Sequence, residues 1–415
     1  MREDDTGAPS VVDVRALYGE IIQGLHRDGR RGRVLFCVSS DELAEGKGDL
    51  YVALGLARGL LADGWGVSLW TIDHAGEQTP SDIDIAVLMI ESWVPGLIHP
   101  HSKLIAWVRN WTDEWAGLPY LDEFAEIWCS SGASAAAMAA VYSGEVRVVP
   151  LATDPELFAP VEVPRSAGVV TTVNYWGVPR GVQPALERVA ADFPVVWYGV
   201  NSAFLTLADG IDHRNAIDYF SLPEVYSRWD IVVDDLIPAA ARYGNQNSRL
   251  FDAVACGALV ITNEASGLVE LGLDEVPVYE TPDDLLALVR RFAENPDERE
   301  ALLQRLREVT LREHSWSARA RMLRPALERV AGRAGADGRS AILVWATRLR
   351  EQMRSDRREH DDYAAMYFAA SRDAQEAHAE LSSLKAAHNQ RLYRIVAGAA
   401  RPVILIRRRL RAKRD

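Results

Sequence analysis

Cysteine is scarce: the 415 residues hold only three, Cys37, Cys129 and Cys256, each far from the others and set within or beside an apolar run. Thiols so placed read as small core residues, which excludes a disulfide framework or a cysteine-rich zinc site and suits a reducing cytoplasm. No run of 18 apolar residues occurs, and the opening MREDDTGAPS has no apolar core, so neither a membrane span nor a secretory leader is expected. Basic charge is also in deficit. Lys and Arg number 46 against 59 Asp and Glu, a net charge of -13, which argues against nucleic acid as a partner of the whole protein. Two common nucleotide signatures are missing as well. The loop around Gly46, Lys47, Gly48 and Asp49 lacks the upstream glycine and the following Ser or Thr of a P-loop, and Tyr51 stands where a dinucleotide fingerprint needs its third glycine.

What the chain does have is apolar content, 48% of its residues, enough for two sizeable cores. Val14, Leu17, Ile21, Ile22 and Leu25 recur at helical period and predict a lead-in helix within residues 1–32. From Arg33 the pattern becomes strand, loop, helix, strand. Strands are expected at 33–38, 66–71, 83–90, 103–108, 126–129 and 146–149, with a helix over 49–62, which is the alternation of a parallel sheet. Ligands of such sheets bind beyond the carboxyl ends of the strands. The loop holding Lys47 and Asp49 lies there, as does Arg109-Asn110-Trp111, whose Trp111 and nearby Trp115 could offer an aromatic platform to a sugar ring or simply pack between helices. Asp82-Ile83-Asp84 has the spacing of a metal-binding acidic pair, but it opens a buried strand and is read as structural.

A Pro-punctuated linker over 160–164 leads to a second sheet, with strands expected at 168–174, 195–198, 231–233 and 258–262. The chain is organised around NQNSRLFDAVACGALVITNEASGLVEL, residues 245–271. Asn247 or Ser248 can cap a short helix that Gly257 ends, and Ser266 is expected to cap a second helix, with Gly267 allowing close approach to the backbone. Arg249 falls in a first helical turn, where a cation opposes the helix dipole by about 0.3–1 kcal/mol, so an anion is expected beside it. Asp252, one turn on, could accept from ribose hydroxyls. A basic group, an acidic group and bare amides at one sheet edge suggest a nucleotide diphosphate.

RLFDAVACGALVIT followed by GLVELG resembles the donor-site signature of group 1 glycosyltransferases, in the branch of the spore-maturation CgeB-like proteins; Arg249, Phe251 and Asp252 fall on its Arg-x-Phe-Glu/Asp motif. GDLYVA then GWGV, and PLATDPELFAP with Asp154, Phe158 and Pro160, are similar to the first loop and the crossover of the same branch. The larger relatives carry a second carboxylate eight positions before Asp252, where this chain has Gly244, so that role is not carried over. The resemblance implies a GT-B fold: α/β, two Rossmann-like domains with parallel sheets facing a central cleft, residues 33–160 for the acceptor and 161–335 for the donor, plus a helical extension over 336–415. It implies a metal-independent transfer from a nucleotide-diphosphate sugar to a glycan or lipid-linked acceptor, with no cofactor beyond the donor itself. Arg180, Gly199, Asn247, Arg249, Asp252, Ser266 and Gly267 are the donor-side candidates. Lys47, Arg109, Asn110 and Trp111 are those for the acceptor, and Asp49 is the candidate base.

Residues 341–350 and 361–399 read as long helices rich in Ala, Glu and Arg, suited to pairing with a second copy. Seven Lys and Arg residues between Arg401 and Arg414 flank Val403 to Ile406, and could touch an anionic membrane from the cytoplasmic side or stay solvated. An epimerase or hydrolase on the same fold, or a non-catalytic nucleotide-sugar-binding scaffold, stands as the alternative.

Overall fold

The computed structural model describes residues 11–174, 180–199 and 207–357. The chain divides into two compact units after Arg348. The first opens with α1 (Val11–Ile22), which buries Val14, Tyr18 and Ile21, while Leu25 lies beyond its end and is exposed.

The first sheet is built from β1 (Arg33–Val38), β2 (Gly66–Thr71), β3 (Ile85–Leu88), β4 (Lys103–Val108), β5 (Phe124–Cys129) and β6 (Glu145–Val148). All its pairings are parallel, in the order β2-β1-β3-β4-β5-β6. α2 (Gly48–Ala62), α3 (Thr112–Ala116) and α4 (Gly132–Ala139) follow β1, β4 and β5. The central strands are buried on both faces, which is why β1, β3 and β4 read as unbroken apolar runs rather than alternating ones. Asp82 receives Arg27 and Arg33, and Asp84 accepts from the Arg33 amide at 2.9 Å, so this acidic pair anchors the start of β1.

The second sheet holds β7 (Ser166–Thr171), β8 (Val195–Tyr198), β9 (Ile211–Arg214), β10 (Trp229–Val233) and β11 (Leu259–Ile261), parallel throughout, in the order β11-β10-β7-β8-β9. β9 was not expected from its sequence, IDHR. As an edge strand it buries only Ile211, so it carries no apolar run. α5 (Val182–Val189), α6 (Leu222–Arg228), α7 (Pro238–Ala241), α8 (Ser248–Ala255), α9 (Pro282–Glu294) and α10 (Pro296–Glu313) pack around it.

The chain crosses between the two sheets twice, and the crossings run side by side. The Thr153 amide donates to His314 O at 2.9 Å and Trp316 N returns a bond to Thr153 O at 3.0 Å. α11 (Trp316–Ala331) then packs back onto α2 of the first domain. Gly55 and Gly59 make this possible: a Cβ on Gly55 would lie 2.3 Å from Trp316 Nε1, and one on Gly59 would lie 2.6 Å from the Trp316 carbonyl. Arg324 with Asp63, and Arg329 with Glu126 and Glu145, complete the contact. Residues 341–348 are helical, and so are 349–357 in the second part of the chain; the helix expected over 361–399 and the basic tail lie outside the described residues. Among the described residues no helix is long and apolar enough to cross a membrane.

Candidate functional site

Strand order reverses in the second sheet between β7 and β10, and the residues just past these two strands meet at that point. Thr172 follows β7, and Asp234 and Asp235 follow β10. Arg249, in the first turn of α8, reaches both ends: Nε donates to Thr172 Oγ1 at 2.9 Å, Nη2 to Thr172 O at 2.8 Å, and Nη1 to Asp234. Burial works against this guanidinium, but Asp234, with Tyr226 and Asp235, more than offsets it and its pKa is raised. The anion that the sequence demanded beside Arg249 is therefore supplied by the chain itself.

Arg180 repeats the arrangement with Asp235. Nε lies 2.8 Å from Asp235 Oδ2, and Nη2 donates to the Asp235 carbonyl at 3.1 Å. Burial is the main cause of a lowered Arg180 pKa and of a raised one at Asp235, the ion pair opposing it in both. Two arginines and two aspartates leave this cluster with no net charge. The two cations expected on the donor side are present, but Asp235 and Asp234 neutralise them. Sequence reasoning passed over both carboxylates, although two aspartates directly after a buried strand were the available signal.

The consequence falls on α8. Asn247 occupies its N-cap position in extended backbone, φ -75 and ψ 154, yet its side chain makes no capping bond. Its Nδ2 donates instead to Asp234 Oδ1 at 3.0 Å and to Asp235 O at 3.2 Å. The first turn of α8 is left without a side-chain cap, and its residues Ser248 and Arg249 border a cavity of about 450 Å³. Ser248, Arg249 and Asp252 line it on one side, Tyr198 and Gly199 on another, and Gly46, Gly48 and Tyr51 of the first domain face them. Its floor is aromatic: Tyr51 stacks on Tyr219 at 3.6 Å and 12°. At the rim Arg15 of α1 donates to Asp218 at 2.8 Å.

Asp252 is buried, which carries its carboxyl well above the usual range; Thr153 and Arg249 pull the other way and Asp154 adds to the rise. Ser266 and Gly267 are not among the lining residues. The second helix expected to start at Ser266 is corrected: the chain turns through Gly267, φ 84, into a single short 3-10 turn at Val269–Leu271. The Ser266 amide is taken by Glu264 Oε1 at 2.7 Å and its carbonyl by Gln246. Apolar Leu268 and Leu271 turn inward here, and no helical run follows.

On the first domain, Asp49 is buried and both its oxygens accept from Ser39, Oδ2 from the amide at 2.6 Å and Oδ1 from the hydroxyl at 2.7 Å. The carboxylate expected as the base thus also anchors the turn after β1. Lys47 takes the N-cap position of α2. Arg109 follows β4, donates from Nη2 to Met89 O at 2.6 Å, and has its pKa lowered by burial against the pull of Asp49 and Glu91. Asn110 is half-buried beside it. Trp111 is 38% exposed and, at φ 54 and ψ 42, is the one non-glycine residue among those described with a positive φ. Trp115, by contrast, is buried, so of the two tryptophans only Trp111 faces outward. Among the described residues no group of three or more His, Cys, Asp or Glu is placed to hold a metal ion.

A family model described as "Glycosyl transferase-like" matches residues 180–325, the stretch that carries Arg180, Arg249 and Asp252. No curated protein matches the chain. Among solved structures, sucrose-phosphate synthase from Thermosynechococcus elongatus superposes with a TM-score of 0.54 at 14% identity, covering 72% of this chain and 98% of its own. HepE from Anabaena, solved in complex with UDP and glucose, gives 0.54 at 11% identity over 71% and 99%. AviGT4, a glycosyltransferase involved in avilamycin A biosynthesis, gives 0.51 at 14% over 73% and 99%. The fold is GT-B. Together with the matched domain it defines the class, a glycosyltransferase of two Rossmann-like domains.

Proposed function

We propose that this protein transfers a sugar from a nucleotide-diphosphate sugar to a glycan or lipid-linked acceptor in the synthesis of a surface polysaccharide or glycoconjugate. The observation that carries this reading is the uncapped start of α8, open to a cavity that both domains line at the switch point of the second sheet. First-turn amides carry partial positive charge and point at whatever lies before them, so they suit the two phosphates of the donor. Because amides and not a cation receive the developing charge of the leaving nucleotide, transfer proceeds without a metal ion. Asp252 stands one turn further in, where its carboxyl would meet the ribose hydroxyls. Gly199 leaves room for the base. The acceptor lies against the first domain, near Lys47, Arg109, Asn110 and the exposed Trp111. The Arg-x-Phe-Asp motif favours the CgeB-like branch within the class.

The test is calorimetric titration with UDP, GDP and dTDP, followed by nucleotide release from the matching sugar donor in the presence of EDTA, with and without membrane glycans. One nucleotide should bind, and release should require glycan and survive EDTA. Release that needs no acceptor would point to a hydrolase or epimerase, and loss with EDTA that manganese restores would overturn the metal-free mechanism. Contact of the basic residues Arg401 to Arg414 with an anionic membrane is a separate proposal. It predicts that deleting 401–415 abolishes sedimentation with phosphatidylserine vesicles.

A further inference from the structure

The aromatic residue on the acceptor side is held from the donor side. Trp111 immediately precedes α3, and the first turn of α3 is gripped by the loop 242–245 of the second domain. Asp113 accepts from Arg242 Nη1 at 2.7 Å and from the Tyr243 hydroxyl at 2.5 Å. Behind this rim lies a buried polar seam: Ser131 Oγ is 2.7 Å from Asn245 Oδ1 and 2.5 Å from Tyr243 O, Asn245 Nδ2 reaches Thr112 Oγ1 at 3.4 Å, and Thr112 Oγ1 lies 2.9 Å from Ser134 Oγ. The Thr112, Ser131, Ser134 and Asn245 side chains are all small or polar, and at most 2% of each residue is exposed.

The same loop is fixed at its far end to the donor pocket. Gly244, φ 67, packs against Gly267 so closely that a Cβ on Gly267 would lie 2.2 Å from the Gly244 carbonyl oxygen. Gln246 Nε2 then donates to Ser266 O at 2.8 Å, and Asn247 and Arg249 bind Asp234. One short strap thus runs from the turn after Trp111 to the start of α8. A seam of hydroxyls and amides suits a contact that separates and re-forms, since water replaces each bond on opening, whereas an apolar seam would not part so readily.

We infer that Arg242, Tyr243 and Asn245 are positioning residues that hold Trp111 in its left-handed conformation across the domain interface, so that the acceptor platform is complete only when the two domains are together. The inference rests on the proposed function for the meaning of Trp111, but its test does not. In the full-length protein, Arg242→Glu places like charges at the rim and should speed amide hydrogen exchange in residues 111–117 by about two- to fivefold, the loss of one exposed ion pair. Arg242→Lys should retain protection, and the swap Asp113→Arg with Arg242→Glu should restore it. Tyr243→Phe, which removes one hydroxyl, gives a smaller increase in the same segment. Whichever of UDP, GDP and dTDP binds the unaltered protein should bind the same variants equally, because Asp113, Arg242 and Tyr243 are not among the residues lining the donor cavity. Exchange in 111–117 that ignores Arg242→Glu, or that the swap fails to restore, overturns the inference. Absence of UDP, GDP and dTDP binding to the unaltered protein would instead count against the donor reading and leave the exchange result standing.

Discussion

Asp234 and Arg249 form an ion pair at the point where the second sheet reverses direction, with the carboxylate wholly enclosed and the guanidinium 15% exposed. Removing one partner strands the other, which is costlier than the pair itself is stabilising. Arg249→Ala should therefore lower unfolding free energy by about 3–5 kcal/mol, read from urea midpoints. The comparison is Arg305→Ala. Its partner Glu275 is half exposed and screened by water, so the loss there should be much the smaller of the two. Equal losses at the two sites would mean that Asp234 reaches solvent or another cation.

Ser248→Pro isolates the amide contribution at the start of α8. Ser248 is the first helical residue, where proline fits without penalty to the helix, and Asn247 before it is already extended as a preceding residue must be. The substitution removes one N–H and the Ser248 hydroxyl, and Ser248→Ala controls for the hydroxyl. Thermal stability should stay within a few degrees, while affinity for the nucleoside diphosphate that binds the unaltered protein should fall by about tenfold, one charge-assisted hydrogen bond. Unchanged affinity would place the phosphates elsewhere.

Much of this molecule is legible from periodicity. The apolar runs at 33–38 and 195–198 coincide with β1 and β8 to the residue, and β10 and β11 differ from expectation by a residue or two at their ends. The site was legible as a place but not as a charge balance. Arg249 announces that an anion must sit beside it, yet whether that anion is a ligand or Asp234, 15 positions away, depends on which strands adjoin, and strand order is not written in local pattern. The same limit explains Asn247. A capping residue before a helix is easy to recognise, but its diversion to Asp234 and Asp235 is a tertiary event. Ser266 misled for a related reason: Asn-Glu-Ala-Ser-Gly has helix-start chemistry, while the backbone contact between Gly244 and Gly267 fixes a turn there.

Asp252 should make stability depend on pH in a defined direction. Its folded pKa is raised by burial, so the folded state binds a proton that the unfolded chain releases once pH exceeds about 4. The stabilisation is complete below that pH and is lost as pH rises toward the folded value. Asp252→Asn keeps the shape of the neutral acid and does not titrate. Relative to the unaltered protein the variant should gain stability steadily from pH 4 upward and then level off, as followed by urea unfolding at a series of pH values. A gap that stays constant with pH would show that Asp252 is ionised when folded. The same variant should weaken nucleotide binding, because the ribose partner changes.

Gly59 carries the docking of α11 on α2. An added methyl there meets the Trp316 carbonyl at 2.6 Å, and backbone cannot move aside as a flexible side chain does. Gly59→Ala should lower stability by about 1–3 kcal/mol despite its better helix propensity. Gly48→Ala is the control, since a Cβ there meets nothing within 4 Å, and it should be neutral within about 0.5 kcal/mol. Differential unfolding of the two variants reads the packing of α11 directly.

Trp111 separates strain from packing. At φ 54 a residue with a bulky side chain is held in a conformation that costs about 1–2 kcal/mol, and asparagine tolerates the same backbone better. Trp111→Asn gives up partly buried aromatic surface but relieves that strain, so its net effect on stability should be small, within about 1 kcal/mol. Trp115→Ala, four residues on and fully buried, should cost about 3–5 kcal/mol. Activity should rank the opposite way. If Trp111 offers its ring to a sugar, Trp111→Asn raises KM for the acceptor while donor binding stays as it was, because a strained, outward-facing aromatic that adds little to folding is retained for what it touches. Should Trp111→Asn destabilise as much as Trp115→Ala and leave acceptor KM alone, the residue is a packing element and the acceptor must be sought elsewhere along the first sheet.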